Sequence, residues 1–504
     1  MTINLLDTTL RDGEQTRGVS FSSQEKLSIV KMLLKEVKIS RVEVTSARVS
    51  EGELESVKAI CEWAKKENLL EKIEVLGFVD GEKSIDWLVK AGCKKLNLLA
   101  KGSEKHCRKQ LRKSPKQHFE DVKKLIENAN SKGIGVNVYF EDWSNGMRNS
   151  KEYVFDFAKV LAKTNIEQLM LPDTLGILSP SEVKKYILEM KQFFPIEKMD
   201  FHAHNDYGVA TANSLTAVET GVSCVHCTIN GLGERTGNTP LAELVAVLND
   251  LSEFKTSVDE KSLVKVSKFV EQISGKKNPS NKPIVGENVF TQTAGIHADG
   301  DAKGNLYSSA LTPERFGRKR EYALGKLSGK ASLEHNLRKL KIDLTNEQKK
   351  LVLKEIILLG DKKKTITSED LPFIISDILK TPLNEKVKIL ECEVSSSIKG
   401  KPKAFLKIKI NDVELSEEAE GNGGYDAFMS ALKKIALKQK IKLPKLLDYV
   451  VTIPPGGKTD ALVETTITWG NNGEEFRTIG IDSDQVIAAI KATEKMLNLL
   501  MVEK

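Results

Sequence analysis

From residue 3 to about 253, short apolar runs alternate with longer stretches whose apolar residues recur at spacings of three and four. The short runs predict strands at Ile3–Asp7, Arg41–Thr45, Lys72–Phe78, Lys94–Ala100, Gly135–Glu141, Ile166–Pro172, Met199–Ala203 and Cys224–Ile229. The longer stretches predict helices at Gln24–Val37, Gly52–Lys66, Lys83–Gly92, Lys116–Lys132, Lys151–Lys163, Pro180–Phe194, Val209–Gly221 and Pro240–Leu251. Ile29, Leu33 and Leu34 illustrate the helical spacing, and several of these helices end in glycine. Eight strand–helix pairs in about 250 residues is the size of a closed parallel (β/α)8 barrel of the TIM type. A doubly wound open sheet would usually have fewer strands and a glycine-rich nucleotide turn after its first. Ile3–Asp7 is followed by no such turn, so an α/β chain with a barrel over residues 1–273 is expected.

Beyond Glu253 the pattern changes. A last barrel-side helix, Glu260–Ile273, leads to SGKKNPSNKP, whose Pro, Ser, Asn and Lys read as a linker. Residues 274–330 form an irregular region that includes GIHADGDAKGN (Gly295–Asn305) and ERFGRKREYALGKLSGK (Glu314–Lys330). Residues 331–384 read as a helical subdomain. From 385 to 504 the period switches to two, and the segment is internally doubled. Strands at Lys386–Ser395, Ala404–Ile410 and Val413–Ala419 precede a helix at Gly424–Lys438. Strands at Leu447–Ile453, Leu462–Trp469 and Glu475–Ile479 precede a second helix, Ser483–Leu499. Two tandem ββ(β)α units predict a pseudo-symmetric α+β domain suited to dimer pairing or to holding an effector.

Composition narrows the function classes. The 77 basic and 70 acidic residues give a net charge of +7 with no aromatic-interleaved basic run, so no nucleic-acid partner is expected. No apolar run approaches the roughly 20 residues of a membrane crossing, and Met1 leads straight into strand-like sequence. Six cysteines are too few for a disulfide scaffold of this size, which favours a reducing, cytoplasmic setting. Cys224 and Cys227 are spaced C-x-x-C, but on a strand they face opposite sides and read as core residues.

The chemistry gathers at predicted strand ends. DTTLRDGEQ (Asp7–Gln15) crowds Asp7, Arg11, Asp12 and Glu14 after the first strand. Such a cluster is unfavourable unless it holds a ligand or pairs internally, and both readings are open. His202 and His204 end the seventh strand two residues apart, so both imidazoles project from one face. In a closed barrel the first and seventh strands are near neighbours, so Asp12 can join the two histidines around one divalent cation. Zinc, manganese, magnesium and cobalt remain open for such a site. Asp200 is a candidate to orient the histidines, and Asn238 to support the metal from outside. Glu43, Glu141 and Thr174 lie in the same layer. Glu141 is a candidate acid/base or water-orienting carboxylate, a partner for Arg11, or both. Glu234 and Arg235 read as a structural ion pair.

DTTLRDGEQ, FHAHNDYG (Phe201–Gly208) and NGLGERTGN (Asn230–Asn238) together resemble the acyl-CoA-condensing metalloenzymes of the DRE-TIM family. That family includes 2-isopropylmalate, homocitrate and citramalate synthases. GNGGYDAF (Gly421–Phe428) and IPPGGKTDALVET (Ile453–Thr465) resemble the regulatory domain of its leucine- and isoleucine-pathway members. The resemblance implies a divalent metal on Asp12, His202 and His204, acetyl-CoA as co-substrate, and a 2-oxo acid polarised by Arg11 and held by Thr174. It implies that Glu141, His297 and Tyr307 surround the proton transfer, the last two supplied by an exchanged linker in a homodimer. The basic stretch Lys101–Lys116 is either a seat for the coenzyme A phosphates or a solvated loop. Leu76, Phe78, Leu99 and Tyr139, with Leu306 added from the linker, are bulky and apolar and resemble the pattern that accepts pyruvate. 2-Oxoisovalerate is the alternative acceptor, and a long dicarboxylate fits least. The effector implied is isoleucine, at Tyr425, Asp426, Leu446, Tyr449, Ile453, Thr459 and Val463, unless these residues only form a dimer core. A lyase on the same barrel and a catalytically silent metabolite sensor are the competing classes. The doubled terminal domain disfavours the first, and the intact Arg11, Asp12, His202 and His204 disfavour the second.

Overall fold

The computed structural model describes residues 2–304, 306–361, 366–379, 386–452, 463–471 and 473–502. Eight parallel strands close into a barrel in sequential order: β1 (Asn4–Asp7), β2 (Arg41–Ser46), β3 (Ile73–Phe78), β4 (Lys95–Lys101), β5 (Gly135–Glu141), β6 (Gln168–Asp173), β7 (Met199–Ala203) and β8 (Cys224–Cys227). β8 pairs with β1, with Asp7 opposite Cys227, and this pairing completes the circle.

Period-two alternation sorts the side chains. Val42, Val44, Val75, Leu96, Leu98, Val136, Val138, Phe201 and Val225 are buried in the apolar layer under the helices. Their alternates turn inward, and many are polar: Glu43, Glu74, Asn97, Asn137, Asp200 and His226 are all at most 2% exposed. A polar barrel interior is tolerable only because these groups bond to one another. Cys224 and Cys227 fall on opposite faces, Cys224 with the interior cluster and Cys227 with the outer core, and all six cysteines are free thiols.

The helices start where their caps dictate. Ser22, Ser114 and Ser179 each close a capping box with Glu25, Gln117 and Glu182. The first predicted helix divides into an α-helix, Ser23–Lys31, and a π-helical turn, Met32–Val37, which left-handed Lys38 terminates. Two short helices, Glu104–Lys109 and Trp143–Asn149, occupy loops after β4 and β5 that the periodicity left unassigned.

His118, on the helix Pro115–Ser131, is fully buried and accepts the Lys101 N–H at 3.1 Å through Nε2. Burial, aided by Lys113, pushes its pKa down from 6.5 to about 4. Between those values the unfolded chain binds more protons, so the His118 contribution is full above pH 6.5 and is lost as pH falls towards 4. Asp7, pushed up to about 7 by burial, acts in the opposite sense, losing stability as pH rises from 3.8. Comparing urea midpoints at pH 7 and pH 5 for the wild type and His118→Gln isolates the histidine. The wild type is expected to lose more stability, by on the order of 1–3 kcal/mol.

The chain divides into two compact units: residues 1–290 with 309–319, and residues 291–308 with 320–504. In the second unit, helices at Lys330–Lys339, Asn346–Asp361 and Leu371–Leu379 pack around Leu333, Leu337, Val352, Ile356 and Leu371. The doubled pattern is realised as two three-stranded antiparallel sheets. Val387–Ser395, Lys403–Ile410 and Val413–Glu420 precede the helix Gly424–Lys438. Lys445–Thr452, Val463–Asn471 and Glu474–Asp482 precede the helix Gln485–Val502. Both halves bury apolar residues in one core, Leu406, Ile408 and Phe428 from the first, and Ile467, Trp469 and Ala492 from the second.

Candidate metal centre

The turn after β1 is wound around one carbonyl. Thr8 O accepts the N–H groups of Arg11, Asp12 and Gly13 at 3.1, 2.8 and 3.1 Å. Asp7 accepts the Thr9 N–H, and Thr9 Oγ1 accepts the Ile229 N–H, tying the turn to the end of β8. This places the Asp12 carboxylate beside the end of β7. Asp12 Oδ2 lies 3.3 Å from His202 Nε2 and 3.7 Å from His204 Nε2. One ligand atom from each of the three residues lies within 4.8 Å of the others. Donors about 2.1 Å from a common ion would be roughly 3–3.5 Å apart, so the spacing suits one cation.

The donor set is also under-satisfied. Asp12 Oδ1, His202 Nδ1, His204 Nδ1 and Asn238 Oδ1 are buried without a hydrogen-bond partner. Unpaired buried polar atoms are costly, and the open Asp12 Oδ1 belongs to the carboxylate that both histidine Nε2 atoms face. Burial pushes both imidazoles down to about 4, which keeps them neutral at neutral pH, as ligation requires. Burial works to raise Asp12, but Arg11 and the two histidines hold its carboxyl well below the usual range. The residues present therefore fit a divalent cation.

Arg11 is fixed on three sides. Nε donates to Glu43 at 2.5 Å, Nη1 to Asp12 at 2.9 Å and Nη2 to Tyr139 Oη at 3.2 Å. Three of the guanidinium's five N–H groups are thus spent, and two remain for an incoming oxygen. Glu43 in turn accepts from Asn97 at 2.8 Å. Glu141 does not pair with Arg11; it takes Lys101, its register neighbour across the β4–β5 ladder. Lys101 is therefore buried in an ion pair, not part of a solvated loop. Thr174 Oγ1 accepts the Asp142 N–H at 2.9 Å, leaving its proton to donate. Arg235 bonds Asp206, Glu234 and the Thr174 carbonyl, binding the loops after β6, β7 and β8 together. Asn238 bridges to His204 and donates to the Leu232 carbonyl. Asp200, expected to orient the histidines, reaches Arg41 and His226 instead.

Three family models match successive stretches: HMGL-like over residues 2–270, homocitrate synthase post-HMGL domain-like over 284–364, and LeuA allosteric (dimerisation) domain over 365–501. The first covers more than half of the chain. The chain belongs to the HMGL-like family. Within it, similar proteins span the full length. A putative (R)-citramalate synthase of Methanopyrus kandleri is 32% identical over 100% of this chain and 97% of its own. An (R)-citramalate synthase of Methanocaldococcus jannaschii is 33% identical over 99% of this chain and 100% of its own. A 2-isopropylmalate synthase of the same organism is also 33% identical, over 100% of this chain and 95% of its own. The chain is thus an acyltransferase-type enzyme of the DRE-TIM group, as the motifs implied. Among the described residues no helix is long and apolar enough to cross a membrane.

Leu76, Leu99 and Tyr139 come together inside the barrel, packed with Leu6 and Met170. Phe78, half-buried at the end of β3, stands outside that cluster. His297 and Tyr307 belong to the second unit, where their rings lie 4.3 Å apart, and Leu306 beside them is 71% exposed. Of the effector candidates, Tyr425 contacts the Tyr449 ring at 5.2 Å and bonds Thr493 Oγ1 at 2.7 Å. Asp426 accepts the Asn422 N–H, Leu446 is partly exposed on its strand, and Val463 is buried. Ile453 and Thr459 lie outside the described residues. Sequence reasoning missed Lys101 as the partner of Glu141, and His226 altogether.

Proposed function

We propose that the chain condenses acetyl-CoA with a 2-oxo acid, pyruvate by preference, to give (R)-citramalate and coenzyme A. The observation that carries this reading is the convergence of Asp12, His202 and His204, each with an unpartnered buried atom, beside a guanidinium that has N–H groups to spare. A divalent cation bound there would supply Lewis acidity towards the oxygens of the 2-oxo acid. Arg11 donates to the ketone oxygen as it gains charge, and its three fixed bonds make that donor preorganised. The Thr174 hydroxyl holds the substrate carboxylate, and Asn238 supports the centre from the loop after β8. Glu141, His297 and Tyr307 manage removal of the acetyl methyl proton. The resulting carbanion carbon bonds to the ketone carbon, and water then cleaves the thioester to release coenzyme A.

The family match to a dimerisation domain supports a homodimer. In it, the segment with His297, Leu306 and Tyr307 would reach the other protomer's barrel. Isoleucine is the feedback effector proposed for the terminal domain, around Tyr425 and Tyr449.

2-Oxoisovalerate stays as a second acceptor because a 2-isopropylmalate synthase is as similar as a citramalate synthase. Bulk at Leu76, Leu99 and Tyr139 favours the smaller ketone. Thiol release from acetyl-CoA, measured with pyruvate, 2-oxoisovalerate and 2-oxoglutarate, tests the choice. Stimulation by pyruvate is expected; preference for 2-oxoisovalerate would transfer the assignment, and silence with all three would end it. Leu99→Ala opens the pocket and should move the kcat/KM ratio towards 2-oxoisovalerate by about 10-fold or more.

A further inference from the structure

A second buried group lies one layer below the proposed centre: Asp200, Cys224 and His226. Arg41 already supplies its positive charge, with Nη1 on Asp200 at 2.7 Å, so a second cation has no role there. What the group does have is a directed line of hydrogen bonds to Arg11. Arg11 Nη2 donates to Tyr139 Oη at 3.2 Å. Tyr139 Oη in turn lies 3.1 Å from His226 Nδ1. His226 Nε2 faces Asp200 Oδ2 at 3.3 Å; an ionised carboxylate only accepts, so the ring proton sits on Nε2 and Nδ1 accepts from the Tyr139 hydroxyl. Asp200, fixed by Arg41, thereby selects the tautomer that accepts from Tyr139. Arg41 also grips Glu74, and Asn137 and Asn97 carry the bonds back to Glu43, the partner of Arg11 Nε. The guanidinium is thus held from both ends of a closed circuit.

We infer that His226 is a positioning residue: it orients the Tyr139 hydroxyl and, through it, the Nη2 edge of Arg11. The inference rests on the proposed condensation for its kinetic meaning. A glutamine places an acceptor and a donor much as the two ring nitrogens do; a leucine offers neither.

The test combines turnover with a readout independent of it. His226→Leu is expected to lower kcat with pyruvate by about 100-fold, the scale of a misplaced reacting contact. The KM for acetyl-CoA should stay within about threefold, and His226→Gln should recover most of the loss. His226→Leu added to Tyr139→Phe should cost little beyond Tyr139→Phe alone, because the histidine acts through the tyrosine. In parallel, NMR of arginine-labelled protein follows rotation of the Arg11 guanidinium, assigned by Arg11→Lys. Slow rotation in the wild type should become fast in His226→Leu and return to slow in His226→Gln. A leucine variant that keeps its kcat and its slow rotation, or additive losses in the double variant, would overturn the inference. If the wild type condenses no 2-oxo acid, the function falls, while the rotation measurement still decides the positioning.

Discussion

Replacing His202 with alanine is expected to reduce turnover by roughly a thousandfold or more, with bound divalent metal lost in the same samples. The size follows from what a cation does at a developing oxyanion, several kcal/mol of charge stabilisation at about 1.4 kcal/mol per tenfold. The fold should survive. The imidazole is buried and neutral, its Nδ1 has no partner, and Arg11 still balances Asp12 after the change. Metal content, acetyl-CoA turnover and thermal unfolding measured on one preparation separate the possibilities. Full turnover with metal retained would remove His202 from the ligand set.

Arg11→Gln should be the more damaging variant for the protein as a whole. It removes a donor aimed at the ketone oxygen, worth about 100- to 1000-fold in kcat. It also strands two buried carboxylates, Asp12 and Glu43, which Arg11 now neutralises. Breaking a buried pair from one side costs about 3–5 kcal/mol, so a clear fall in unfolding midpoint should accompany the kinetic loss. Arg11→Lys distinguishes the two effects. It keeps the charge but not the planar fork, so stability should recover further than kcat does. Equal recovery of both would mean that Arg11 serves the network and not the substrate.

The barrel was legible because its outward residues are so regular. Val42 and Val44, Leu96 and Leu98, and Val136 and Val138 mark strands within a residue or two of those observed. Asp12, His202 and His204 were legible because strand ends and the order of a closed barrel fix which residues can meet. What escaped were pairings set by register. Lys101 and Glu141 stand opposite each other on β4 and β5, a fact invisible until the alignment of the two strands is known. Asp200 shares a face with His202, yet it points into a lower layer, where Arg41 and His226 are nearer partners. The helices Glu104–Lys109 and Trp143–Asn149 are too short to develop a periodic signal.

In the proposed centre one aspartate and two histidines hold one cation. Calorimetric titration of chelator-stripped protein with zinc or manganese tests this without reference to any substrate. One equivalent is expected to bind per chain in the wild type, with no comparable binding in Asp12→Asn, His202→Ala or His204→Ala. An unchanged stoichiometry and affinity in those three variants, or no binding in the wild type, would contradict this ligand set.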